Sequence, residues 1–104
     1  MKKLSALLIL AYSLFAFEAW AQVKEYKIVI KDHKFTPENL EISANEKVKL
    51  IVENQDKTIE EFESQDLNRE KIIGGGKTAS VFVGPLKPGV YKYFGEFNEK
   101  TARG

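Results

Sequence analysis

The chain has 104 residues, with 16 Lys plus Arg against 15 Asp plus Glu, a net charge of +1 and 43% apolar side chains. So balanced a charge provides no field to steer the chain toward nucleic acid, and seven Phe, four Tyr and one Trp set it apart from a disordered polymer. Cysteine is absent and histidine occurs once, which excludes disulfide scaffolds, cysteine-based zinc sites, thiol nucleophiles and a copper centre made of two imidazoles and a thiolate.

Residues 1–21 read as a Sec-type signal peptide: Lys2 and Lys3 lead an apolar run from Leu4 to Phe17, and Ala19 and Ala21 frame Trp20 in an A-x-A cleavage pattern. The run is shorter than the roughly 20 residues that cross a bilayer, and Glu18 ends it. The expected mature chain, Gln22–Gly104, loses Lys2, Lys3 and Glu18 and is neutral. It is expected to be periplasmic and not membrane-spanning, and to form one domain.

In that chain, Tyr26, Ile28 and Ile30 alternate with Lys27, Val29 and Lys31, the period of a strand with one buried face. Leu40 and Ile42 repeat the pattern after Thr36-Pro37, and Val48, Leu50 and Val52 repeat it after the Asn45-Glu46 turn. The polar break Asn54–Lys57 precedes a short acidic segment, Ile59–Phe62, with the character of an edge strand. Ser64–Glu70 holds only Leu67 as an apolar anchor and reads as a loop or one helical turn. Gly74–Gly76 marks a tight reversal; no G-K-S/T follows, so a phosphate loop is not indicated. Thr78–Val83 is rich in β-branched residues, and Pro88-Gly89 suits a type II turn before an aromatic strand, Val90–Phe94. Six strands and no helical period predict an antiparallel all-β sandwich. Phe35, Phe62, Phe82, Tyr91, Tyr93, Phe94 and Phe97 are expected to fill its core.

Several segments together resemble the periplasmic cupredoxin-like domains, in particular the branch found with bacterial iron-uptake systems of the EfeO type. They are F-T-P-E-N-L-E-I at Phe35–Ile42, V-E-N-Q-D at Val52–Asp56, E-E-F-E-S at Glu60–Ser64, L-N-R-E-K at Leu67–Lys71, P-L-K-P-G-V-Y at Pro85–Tyr91 and F-G-E-F-N-E-K-T-A-R-G from Phe94 onward. The resemblance implies a Greek-key β-sandwich with a metal site at one end. It places the copper family's first His near Glu60, its Cys at Gly95 and its second His at Asn98, and none of the three is retained. A blue-copper centre is therefore rejected on chemistry. The iron-uptake branch, by resemblance, binds copper or iron through carboxylate and His ligands or assists a membrane iron-transport partner. Family members continue with one more strand after the A-x-G segment, so the sandwich is expected to lack its last strand here, through truncation or because a partner supplies it.

The oxygen donors left are suited to hard cations. In an extended Glu60–Glu63 segment, alternation sends Glu61 and Glu63 to one face and Glu60 and Phe62 to the other. The expected ligand set is Glu61, Glu63, Glu70 and Glu96, with His33 added from the first connection. Two plainer readings stand beside it: a solvated edge strand whose charges deter aggregation, and a surface histidine. For function, the expectation is an accessory protein of iron or copper handling that binds or presents a metal ion, against a metal-free interaction module. An enzyme is not expected, because one His without a Ser or Cys partner motif gives no base and nucleophile pair.

Overall fold

The computed structural model describes residues 22–104; the signal peptide expected over residues 1–21 lies outside the described residues. Six strands follow in order: β1 (Lys24–Lys31), β2 (Lys34–Thr36), β3 (Val48–Asn54), β4 (Glu60–Ser64), β5 (Arg69–Ile73) and β6 (Thr78–Val83), with a 3-10 turn at Glu96–Asn98. One sheet has the order β2-β1-β3-β6 and the other pairs β4 with β5. The chain thus crosses between layers after β3 and again after β5. The expected all-β Greek-key sandwich is the observed fold.

The period-2 patterns work as their chemistry demands. Ile28 and Ile30 of β1, Val48, Leu50 and Val52 of β3, and Val81 and Val83 of β6 are buried on one face of the first sheet. Phe62 and Ile73 close the core from the second sheet. Phe35 meets Tyr93 and Phe62 edge-on, with ring centroids 5.2 and 6.2 Å apart. Against the antiparallel pairing expected, β1 and β3 are parallel over seven residue pairs, because residues 37–47 carry the chain back to the Lys24 end of β1 before β3 begins; the other strand pairs are antiparallel.

The strand expectations need correction at both ends of the sequence pattern. Leu40 and Ile42 are half-buried against the core, but their segment is irregular rather than a strand. Val90–Phe94 contributes pairing only at its end, where Phe94 exchanges two 2.8 Å backbone hydrogen bonds with Glu63. Beyond the 3-10 turn, Ala102–Gly104 run beside Tyr93–Gly95: Gly104 N–H donates to Tyr93 at 2.9 Å and Gly95 N–H to Ala102 at 3.0 Å. The segment read as a loop, Ser64–Glu70, ends inside a strand: Arg69 and Glu70 open β5, whose Arg69, Glu70, Lys71 and Ile72 are exposed. β5 is the charged edge, while β4 lies between it and Phe94, so the solvated-edge reading of β4 is overturned. Gly89 does not take the positive φ of a type II turn, and Phe82 and Phe97 are 43% and 47% exposed rather than core. Lys47 Nζ instead sits 4.8 Å from the Phe82 ring centroid.

Candidate metal centre

β4 is the strand that builds the site. Its neighbours pair Glu61 with Ile72 and Glu63 with Glu70, and side chains directly opposite in antiparallel strands share a face. Glu61, Glu63 and Glu70 therefore stand together on the outer face of the second sheet, and Glu96 reaches them from the 3-10 turn. One oxygen from each of the four lies within 4.8 Å of the others. Four of the five residues expected as ligands lie together; alternation accounts for Glu61 and Glu63, while Glu70 comes from β5 rather than from a loop and Glu96 from the 3-10 turn.

Glu61 dominates the electrostatics of this cluster because it is 1% exposed. Burial pushes its carboxyl up to about 7; the charges of Glu63 and Glu96 and a hydrogen bond with Glu70 add to the rise, and the Glu96 N–H opposes it. That N–H donates to Glu61 Oε1 at 2.9 Å. A carboxyl buried among other carboxylates either keeps its proton or takes a cation. Calcium, manganese and ferric iron suit such an all-oxygen donor set, with water completing the coordination on the exposed Glu70 and Glu96 side.

His33 is the exception and is not with these four. It sits with Asp56 and Glu60, its Nδ1 2.5 Å from Glu60 Oε1 and 3.5 Å from Asp56 Oδ2. The hydrogen bond to Glu60, with further help from the charges of Glu60, Asp56 and Asp32, raises its pKa above the ordinary value against the effect of burial. Burial resists ionisation of Asp56, but N–H donors from His33 and Asp32 outweigh it and hold its pKa low. Glu60 is fully buried on the core side of β4, and the Asn98 amide donates to its two oxygens at 3.2 and 3.0 Å. Asp56 and Glu60 were absent from the expected ligand set. Glu60 alternates away from Glu61, and nothing local in the sequence places Asp56 beside His33.

The copper pocket implied by the resemblance does not fit these residues. Where it requires a thiolate, a Cβ on Gly95 would lie 2.9 Å from the Glu61 carbonyl oxygen and 3.0 Å from the Ala102 Cβ, leaving no room for a side chain. Glu60 and Asn98, at the two His positions, are bonded to each other. A cleft of about 1100 Å³ is lined by Leu40, Ile42, Leu67, Leu86, Tyr91 and others, and by none of the expected ligands. No helix among the described residues is long and apolar enough to cross a membrane.

An uncharacterized protein of Rickettsia prowazekii (strain Madrid E) is 50% identical over 82 residues, which cover 79% of this chain and 66% of that protein. The chain thus spans just under two thirds of that relative's length. Among solved structures, a chain in the cryo-EM structure of a heme-copper terminal oxidase dimer superimposes with a TM-score of 0.58, covering 99% of this chain and 94% of that one. At 15% identity this likeness concerns the fold alone. A family model of the cupredoxin-like domain matches residues 4–104, and with the two-sheet architecture beneath that match, the chain belongs to the cupredoxin-like domain family.

Proposed function

We propose that the protein is a periplasmic accessory protein of metal handling, of the kind that accompanies EfeO-type iron uptake. It holds a hard cation at Glu61, Glu63, Glu70 and Glu96 and presents it to a membrane transport partner, without redox turnover of its own. The observation that carries this reading is the burial of Glu61 at the centre of four converging carboxylates, an arrangement whose repulsion a multivalent cation relieves. Equilibrium dialysis of the protein against iron(III), manganese(II) and copper(II) is the test. One ion bound at micromolar metal, and its loss in the Glu61→Gln/Glu70→Gln double variant, is the expected result. Binding no greater than background, or unchanged in that variant, overturns it.

A second reading, a metal-free interaction module, draws support from Ile72 and Phe97. Ile72 pairs across from Glu61, Phe97 follows Glu96, and the two are 53% and 47% exposed. Exposed apolar side chains bordering an acidic patch suit a protein partner as well as an ion. The same dialysis separates the two, since a module of this kind retains no metal.

A further inference from the structure

In an extended chain the backbone groups of successive residues alternate between the two sides, and Val90–Gly95 shows this alternation. Phe94 turns its N–H and carbonyl to Glu63 of β4. Lys92 faces the same side: its N–H donates to Asp66 Oδ2 at 2.8 Å, and its carbonyl accepts Ser64 Oγ at 2.6 Å. Tyr93 and Gly95 face the other way. Tyr93 and Gly104 exchange hydrogen bonds of 3.1 and 2.9 Å, and the Gly95 N–H donates to the Ala102 carbonyl. Tyr91 belongs to this second side, one step further along, and its N–H and carbonyl have no backbone partner among the described residues. Across the cleft of about 1100 Å³, residues 39–42 likewise form no backbone-to-backbone hydrogen bond among the described residues. The two walls are tied at both ends. The Tyr93 hydroxyl donates to the Glu38 carbonyl at 2.7 Å at one end, and the Asn45 N–H to the Leu86 carbonyl at 2.7 Å at the other. Leu40, Ile42, Leu67 and Leu86 line the space between them and are only half-buried.

We infer that this cleft accepts a β-strand from another protein, an extended segment with apolar side chains at alternate positions that adds antiparallel to the Tyr91–Tyr93 edge. Open main-chain groups on both walls call for an occupant that offers a donor and an acceptor at every second residue, which a small apolar ligand does not. The half-buried leucines and Ile42 receive the inward-facing side chains of such a strand. The wall from Glu38 to Ala44 matches a strand of about 5–7 residues. The rim carries Glu38 and Glu41 on one wall and Lys87, Lys92 and Arg103 on the other, so outward-facing side chains of either sign find an opposite charge. A second copy of this chain does not supply the strand. Among the described residues, β1, β3 and β6 already bury their alternating apolar side chains in their own core, and the β5 edge turns Arg69, Glu70 and Lys71 to solvent. Because both walls are tied before the strand arrives, little of the ordering cost falls on this protein.

The groove shares no residue with the four-carboxylate cluster, so the two stand or fall separately. Main-chain pairing tolerates sequence, which makes a generic strand an adequate probe. The probe is a synthetic nine-residue peptide that alternates valine and threonine; in its control, prolines at alternate positions remove the donors of one edge. Hydrogen exchange of the ¹⁵N-labelled protein is expected to be fast at the amides of Tyr91 and residues 40–42 before the peptide is added. With the peptide it slows roughly tenfold or more and saturates at one peptide per chain. The proline peptide gives no such protection. Ile42→Lys, checked for intact protection in β1 and β3, abolishes it, and Glu61→Gln/Glu70→Gln leaves it unchanged. Exchange at Tyr91 that does not respond to millimolar peptide overturns the inference, as does equal protection by the proline peptide. So do amides already slow in the free protein, because its own backbone or a second copy then fills the groove.

Discussion

Glu60 and Glu61 are consecutive in the chain, equally buried, and opposite in circumstance. Glu60 points into the end of the sandwich, where an amide and an imidazole meet its oxygens. Glu61 points out of the second sheet, where a single backbone N–H faces it and three other carboxylates surround it. Burial alone therefore does not define the role of a carboxylate. Its neighbours do, and alternation along one strand delivers the two residues to different neighbours.

Replacing each in turn exposes that difference. Glu60→Ala leaves the buried faces of Asn98 and His33 without their acceptor and opens a cavity, so urea unfolding is expected to show a loss of about 3–5 kcal/mol. Glu61→Gln is expected to act in the opposite direction. A carboxyl held up to about 7 when folded, against 4.5 as its ordinary value, destabilises the fold once the unfolded chain releases its proton. The contribution of Glu61 to the stability of the metal-free protein is then neutral below about pH 4.5, becomes unfavourable as pH rises to about 7, and is constant above. At pH 8 Glu61→Gln recovers up to about 3 kcal/mol, and at pH 4 it changes almost nothing. A melt of the variant that tracks the parent at both pH values would contradict this.

Gly95→Cys probes the boundary between the two regions. The added side chain meets the Glu61 carbonyl and Ala102, costing about 1–3 kcal/mol. Copper(II) added to the variant is expected to give no intense visible charge-transfer band, because the thiol has no space in the pocket. The smallest effect belongs to Glu63→Gln on the half-buried side of the cluster. Its unfolding free energy is expected to stay within about 0.5 kcal/mol of the parent, while manganese affinity falls in dialysis. Unchanged affinity there would restrict the ion to Glu61, Glu70 and Glu96.

Much of this arrangement is legible in the sequence where a local rule governs it. Alternation places Ile28, Ile30, Leu50, Val52, Val81 and Val83 inward, and it separates Glu60 and Phe62 from Glu61 and Glu63. β5 escapes such a reading because R-E-K-I carries edge charges and only Ile73 is buried, so its period resembles that of a polar loop. β2 is three residues long, too short to show any period. Phe82 and Phe97 show the reverse error, since aromatic character alone does not say which face of a strand or turn is covered.

The sequence by itself determined the absence of a thiolate, the two-layer β architecture and the facing of the β4 carboxylates, because composition and a period of two are properties of the chain alone. Only the tertiary structure brought His33 to Asp56 and Glu60, which lie 23 and 27 positions further along, and only it buried Glu61 beneath the turn that carries Glu96. These contacts depend on how separate loops close over the ends of the sheets. That closure is set by backbone approaches, such as Gly75 against Lys57, which no residue pattern encodes locally.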